Sequence, residues 1–424
     1  MENKSLSRRA VLRSSGFAIV GVGGRLGGDR RAEKGASGTT IGTRSTIETE
    51  REPIAAAAGS KNPPYDVIPS YAIAMLTSPV RGPMTVTYCR GGRRVYRTNA
   101  DGGLTRVALL PEGFRPDMIC RNATGQWLAV TGTWSDPGTA SLYPSIEALR
   151  EGSPAATLEE VFLPMRTAVV PFWDWWGNDA GFVWAEYQLA SPESIRILRA
   201  SIADGYSIEP VLSLSTPGGR GYHHFHSIDH DPYRPGTIYA TTGDPNPRPQ
   251  WYRSTDYGRT WSRVPGAGGS QHFRTLRINF GPEYLYWAMD GWDQETGEGY
   301  FYRAPRRDPS AFEAVATIGT EKGRTLSYGS ARTFDPNGVL VTVRTDEKSR
   351  VPLYFYDLET ERFSRVYEFE ADYDLDPVPG VNATMPYQDR RTGRVPMYVY
   401  GVPNPRDDGR FWAGFDVRRV VRSE

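Results

Sequence analysis

Residues 254–261 read Ser254-Thr-Asp-Tyr-Gly-Arg-Thr-Trp261, and the way that octet must turn decides the fold. Its polar residues are those of a tight turn between two strands. The Asp256 carboxylate can accept hydrogen bonds inside the turn, while Gly258 supplies a backbone conformation that other residues resist. Trp261 then anchors the hairpin against a neighbouring sheet. The runs on either side, Trp251-Tyr-Arg253 and Ser262-Arg-Val264, read as the two strands that the turn joins.

Working outward, the octet belongs to a repeat. From His224 the chain reads HFHSIDHDPYRPGTIYATTGD and then WYRSTDYGRTWSRV. From His272 it reads HFRTLRINFGPEYLYWAMD and then YFYRAPRRDPSAFEAV, in the same order and 48 residues later. Looser copies run from Gly329 to Thr345 with Leu353 to Val366, and from Thr167 to Tyr187 with Ile195 to Leu212. Each unit offers four short strands, A to D from inside outward. One such unit cannot bury its own faces, so neighbours must stack, which makes it a propeller blade. Seven units begin near Tyr71, Phe114, Arg166, Tyr222, His272, Arg324 and Val381. The first and last are the least regular and could share one blade at the ring closure. The expectation is therefore an all-β, six- or seven-bladed β-propeller over residues 63–424, with seven as the count of units.

The octet matches the Asp-box S-x-D-x-G-x-T-W residue for residue, through Ser254, Asp256, Gly258, Thr260 and Trp261. Thr98 to Thr105 (TNADGGLT) is a degenerate copy. The stretch from Trp184 to Asp290, about a quarter of the chain, resembles the BNR/Asp-box repeat proteins often labelled sialidase-like or glycosyl hydrolase. The matching pieces are Trp184-Ala-Glu-Tyr187, His224 to Tyr233, Thr242-Gly-Asp244, the Asp-box and Gly269-Ser-Gln271. That resemblance implies a structural role for the Asp-box, on the side away from the functional face. It does not imply sialidase activity. The Arg-Ile-Pro signature of sialidases is missing, Phe114-Arg115-Pro116 lacks its middle residue, and no motif marks a nucleophilic Tyr.

Composition agrees with an exported β protein. Lys and Arg number 50 against 49 Asp and Glu, so no bulk charge recruits nucleic acid or an anionic membrane. The 11 Trp and 24 Tyr fill pleated sheets, and the 45 Gly and 33 Pro punctuate turns. Only Ser145 to Glu151 reads as a helical turn. Ser7-Arg8-Arg9-Ala10-Val11-Leu12, followed by the mildly apolar Gly16 to Gly24, matches a twin-arginine (Tat) signal over residues 1–28. That apolar stretch is too short to span a bilayer. Residues 29–62 have the composition of a disordered linker. The mature chain is thus expected to be secreted or cell-surface, without a transmembrane segment. Cys89 and Cys120 can pair or stay as two small buried residues, and Asn122 and Asn382 begin glycosylation sequons.

Aligned repeats place the chemistry on one rim. The second strands end on Asp136, Glu186, Asp244, Asp290 and Asp346, and the inner strands begin on Arg115, Arg166, His224, His272 and Arg324. In an up-down blade both positions open on the rim opposite the Asp-box. His224 and His226 share a strand face, and His272 at the equivalent position brings a third imidazole to the same patch. These three with Asp244 have the ligand types of a metal site, but no HExxH spacing supports one, and no metal or cofactor is expected. Arg forks suit a carboxylate-bearing glycan. Phe172-Trp-Asp-Trp-Trp176, Trp184, Tyr187, Trp287 and Trp292 are expected near the same rim. The reading is a carbohydrate-active propeller, glycosidase-like or lyase. Glu186, Asp244 and Asp290 are its acid–base candidates, and Arg115, Arg166, His224, His226, His272 and Arg324 grip the substrate. The alternatives are a non-catalytic glycan- or protein-binding propeller and a structural surface component.

Overall fold

The computed structural model describes residues 64–421, leaving aside 69–71, 77–84, 90–91, 100–103, 134, 174–178, 189–193, 204, 216–223, 244–245, 321–324, 346–349, 377, 385–386, 390–391 and 404–409. The expected export signal and linker lie outside the described residues. The chain separates into two units, Met1–Thr46 and Ile47–Glu424, and every described strand belongs to the second.

Strand β1 (Tyr65–Ile68) precedes β2 (Ala72–Leu76), β3 (Thr85–Cys89), β4 (Arg94–Thr98) and β5 (Leu104–Leu109). Next come β6 (Met118–Arg121), β7 (Trp127–Val130), β8 (Gly138–Tyr143) and β9 (Ala156–Val161), then β10 (Pro164–Trp173), β11 (Ala180–Glu186), β12 (Ser194–Ser201) and β13 (Ser207–Ser215). β14 (Phe225–His230), β15 (Ile238–Thr242), β16 (Gln250–Ser254) and β17 (Ser262–Gly268) are followed by β18 (Asn279–Phe280), β19 (Tyr284–Ala288), β20 (Glu298–Pro305) and β21 (Glu313–Thr320). The last are β22 (Leu326–Phe334), β23 (Asn337–Arg344), β24 (Arg350–Asp357), β25 (Phe363–Glu370), β26 (Gly380–Ala383), β27 (Val395–Tyr400) and β28 (Arg410–Phe415). Helix α1 (Ile146–Glu151) sits where the sequence places its helical turn: Ser145 caps its start and Gly152 ends it at φ 70°. A second helix, α2 (Arg418–Val421), has no sequence signal, and no described helix is long and apolar enough to cross a membrane.

Among the described residues these strands form five four-stranded antiparallel sheets, β2–β5 through β18–β21, and one eight-stranded sheet. The large sheet is two meanders joined by a single residue pair, Arg344 with Gly380. One meander is β22–β25. The other is β26–β27–β28 completed by β1, in register from Tyr65 opposite Phe415 to Ile68 opposite Trp412. The first and last units therefore build separate sheets; what joins the two ends of the chain is the borrowed edge strand β1.

Burial follows position in the meander. Every residue of β7 and β11 is buried, the near-continuous pattern of a strand covered on both faces. The fourth strands β13 and β25 are mostly half-buried or exposed, each with a single buried residue, and β25 carries Arg365, Glu368 and Glu370, charges that discourage pairing with other chains. Between the sheets β14–β17 and β18–β21, the buried indoles of Trp251 and Trp287 meet edge to face at 4.9 Å.

The Asp-box turn is built as its residues require. Asp256 Oδ1 accepts from the Thr260 amide at 2.9 Å and the Ser254 hydroxyl at 2.7 Å, and Oδ2 accepts from the Thr260 hydroxyl at 2.6 Å. Gly258 has φ 83°, and a Cβ there would meet Val183 of the preceding sheet at 2.7 Å. Trp261 Nε1 closes the turn on the Gly258 carbonyl at 3.1 Å. Burial alone would raise the Asp256 carboxyl, but hydrogen bonds from Thr260, Ser254 and the Arg259 amide outweigh it and hold the group below its ordinary value. A depressed folded-state value means stabilisation that is full above the unfolded value near 4 and lost as pH falls through the folded one. Asp256→Asn is expected to cost about 1–3 kcal/mol at neutral pH and to flatten the acid limb of stability against pH. Thermal midpoints of both proteins from pH 7 downward check this; an unchanged acid limb refutes it.

The Asp-box rim is also where buried ions join neighbouring sheets. Asp179 binds Arg199 of its own sheet and, at 2.7 Å, Arg259 from the Asp-box. Asp229 binds Arg277 at 2.8 Å, and Asp231 binds Arg306. The connection between β26 and β27 reaches the same rim, where the Tyr387 hydroxyl donates to the His230 carbonyl at 2.5 Å. Cys120 is a free, buried thiol pushed up by burial. Asn122 and Asn382 are buried too, so neither sequon is presented by the folded chain.

Candidate functional site

On the opposite rim the sequence folds two histidines into one unit. Phe225 pairs with Thr242 but Ser227 with Thr241, so His226 is the extra residue of a β-bulge in β14. Bulges re-aim a side chain, and here the imidazole lies flat on Gly243, the residue that follows β15. A Cβ at Gly243 would fall 1.7 Å from His226 Nε2, so the ring occupies the space that any side chain would fill. His224, just before β14, stacks on His226 with the ring planes 11° apart and centroids 5.0 Å apart. The Tyr187 ring also lies against His224, with centroids 4.1 Å apart and planes tilted by 34°.

Polar geometry turns the pair into a relay. His224 Nε2 and His226 Nε2 are 3.1 Å apart, so one must donate a proton and the other accept it. His226 Nδ1 faces Asp290 Oδ2 at 3.6 Å, longer than a hydrogen bond but close enough for the carboxylate to favour a proton on Nδ1. With Nδ1 protonated, a neutral His226 accepts at Nε2 and His224 donates from Nε2. Asp290 is fixed in turn. Its amide donates to the Arg274 carbonyl at 2.8 Å, and Arg274 Nε lies 3.5 Å from Oδ2. His226 and Asp290 side chains are 2% and 8% exposed, so the relay is nearly dry behind a half-buried His224.

The connection from β17 to β18 carries the rest. A short 3-10 turn, Gln271–Phe273, is held by the two core indoles: Trp251 Nε1 donates to the Phe273 carbonyl at 2.9 Å, and Trp287 Nε1 to the His272 carbonyl at 2.7 Å. Gln271 Nε2 donates to Asn246 Oδ1 at 3.2 Å, and Asn246 Nδ2 to Gln294 Oε1 at 3.3 Å. These three carboxamides form a hydrogen-bonded row.

Several expected positions differ. His272 does not begin an inner strand, because β18 starts only at Asn279. Its imidazole turns to Tyr302 at 2.8 Å and Asp293 at 3.4 Å instead of to His224 and His226, so three imidazoles do not converge. Among the described residues no cluster of metal ligands forms. Glu186 is wholly buried: Arg196 grips it through two nitrogens at 2.6 Å, and the Phe162 amide donates to it at 2.9 Å. Burial raises its carboxyl, with Arg196 and Phe162 pulling the other way. It latches the end of β11 to the residue after β9 and faces no solvent. Asp293 accepts from the amides of Glu295 and Thr296 and from the Thr296 hydroxyl, and its carboxyl lies below the ordinary value: burial would raise it, but these bonds outweigh that.

Arg115 is exposed just before β6. Arg166 lies in β10, while Asp244, Arg324 and Asp346 fall outside the described residues. The aromatics divide. Trp184 and Trp287 are core, Phe172 packs at the Asp-box rim against Tyr257 and Arg199, Trp292 Nε1 donates to the Thr325 carbonyl at 3.2 Å, and Tyr187 joins the histidines; the side chains of Trp173, Trp175 and Trp176 lie outside the described residues. Arg274, Asn246 and Gln294 were not singled out by repeat alignment, which registers charges at strand ends, and Gly243 stood in the matching piece Thr242-Gly-Asp244 without a role of its own. Gln271 stood in a matching motif, but without a role.

No family model matches the chain, and no curated protein does either. Solved structures do. A prolyl endopeptidase is 10% identical over 81% of this chain and 50% of its own, with a TM-score of 0.45. A quinonprotein alcohol dehydrogenase-like protein from Bacteroides thetaiotaomicron is 11% identical over 72% and 67%, with a TM-score of 0.44. A GH74 xyloglucanase from Xanthomonas campestris is 13% identical over 86% and 46%, with a TM-score of 0.37. This chain spans about half the length of the first and third.

Proposed function

We propose that the chain is an exported, seven-bladed Asp-box β-propeller with a carbohydrate-active site on the rim opposite the Asp-box, and that His224 is its acid–base group. The observation that carries this is the chain His224–His226–Asp290, in which a buried carboxylate and a bulged imidazole orient a second, accessible imidazole. Such arrangements set the tautomer of a general base. Tyr187 offers a flat ring for a sugar face, and Asn246, Gln271 and Gln294 offer paired donors and acceptors for hydroxyls. The blade count is supported by the five four-stranded sheets, the two meanders of the large sheet and the strand β1 closing the last of them. Export rests on the twin-arginine motif.

A glycan-array screen paired with a reducing-end assay tests the site. Binding with turnover supports it, and failure to bind any glycan refutes it. Binding without turnover supports the second reading, a glycan-binding propeller, which the carboxamide row favours because it can hold hydroxyls without chemistry.

A further inference from the structure

We infer that the glycan this rim takes is uncharged, not the carboxylate-bearing one that bases at the strand starts imply, and that Asn246 and Gln294 read its hydroxyls. The inference rests on the carbohydrate reading above and names its substrate class. Charge is the first reason. The bases joined to the site face carboxylates: His226 and Arg274 lie 3.6 and 3.5 Å from Asp290, and His272 lies 3.4 Å from Asp293. On the preceding sheet, Arg196 is held by Glu186. Asp293 stays ionised, because bonds from Thr296 and Glu295 outweigh the effect of burial. With the imidazoles neutral, two carboxylates, Asp290 and Asp293, stand against the one guanidinium of Arg274. A uronate or sialate brought within reach of Arg274 or His272 would therefore meet a like charge beside its partner, which disfavours it.

The second reason is what the rim turns outward. Asn246 and Gln294, from the connections β15–β16 and β19–β20, are both exposed and meet at 3.3 Å. Asn246 uses one N–H on Gln294 and its Oδ1 on Gln271, while Gln294 uses its Oε1 on Asn246. A carboxamide has two N–H donors and an oxygen with two lone pairs, so each keeps both kinds of group for a ligand. Sugar hydroxyls likewise donate and accept, and they carry no charge.

Position is the third. Gln271 joins the carboxamides to the charged groups: Arg274 NH1 lies 3.5 Å from its Oε1. A Cβ at Gly291, in the connection that carries Gln294, would fall 3.1 Å from the same oxygen. That connection also carries Trp292, whose half-buried indole is fixed by its 3.2 Å bond to the Thr325 carbonyl. An aromatic ring beside a few placed amides suits the C–H faces and hydroxyls of a neutral sugar.

The test screens the purified full chain on a glycan array in about 0.05 and about 0.5 M sodium chloride, scoring neutral members apart from those bearing uronate, sialate or sulfate. Titration calorimetry then follows the tightest ligand. Expected are neutral ligands whose affinity changes by less than about twofold between the two salt concentrations. Gln294→Ala and Asn246→Ala are each expected to weaken binding by roughly 3- to 10-fold, with thermal midpoints near the parent's. Four results would overturn the inference and leave the carbohydrate reading standing: preference for acidic glycans, equal affinity for both classes, a steep loss of affinity with salt, or parental affinity in either variant. Failure to bind any glycan would overturn both.

Discussion

Asp229→Ala is expected to destabilise the protein by about 3–5 kcal/mol, the largest single-residue effect anticipated outside the hydrophobic core. The Asp229 side chain is fully buried at the end of β14 and spans two sheets. One oxygen accepts from Arg277 NH1 at 2.8 Å and the other from the Ile278 amide at 2.9 Å. Alanine leaves a guanidinium only 3% exposed without its counter-ion, and a buried amide without its acceptor. The pair itself need not be worth that much, since bringing two charges out of water offsets most of their attraction. Asp229→Leu combined with Arg277→Met should therefore recover most of the loss. Thermal or denaturant unfolding of the two single variants and the double variant gives the coupling directly. A single variant as stable as the parent would show that the ions are solvated in solution.

Gly243→Ala is expected to abolish most ligand-dependent function while leaving the fold in place. The added methyl would lie 1.7 Å from His226 Nε2, with the ring's neighbouring carbons almost as close, so the imidazole must leave its position. His224 then loses its 3.1 Å partner, and Asp290 no longer faces an imidazole. Misplacing a catalytic group by an ångström is enough for roughly a 10²-fold loss of turnover. Overpacking of this kind costs about 1–3 kcal/mol of stability. Combining Gly243→Ala with His226→Ala removes the obstructing ring, so stability should return while activity does not. Turnover and thermal midpoints of the three variants separate the two effects. Wild-type turnover in Gly243→Ala would mean that His226 is not held where the relay needs it.

The two residues also mark how far the sequence could be read. The Ser254–Trp261 turn, the run of short strands and the helical turn at Ser145 were legible because turn chemistry and strand alternation are local and survive in any register. The rims were legible too, since the Asp-box turn and the connection between β14 and β15 meet through Tyr257 and Gly236, away from the histidines. Alignment placed Asp290 correctly just after a second strand. It failed for His272 because the segment before β18 winds into a 3-10 turn pinned by two indoles, a distortion set by the core beneath it and not by its own residues.

From the sequence alone came the β-sheet repeat, its turn and the face on which chemistry should gather, all properties of neighbouring residues. Tertiary structure alone decided which charged groups are free to act. Glu186 and Asp290 end equivalent strands, yet one is sealed against Arg196 and the other faces His226. The difference arises from a one-residue bulge, a glycine that leaves room for a ring, and the packing of one sheet on the next. Those depend on residues far apart in the chain, and strand periodicity carries no record of them.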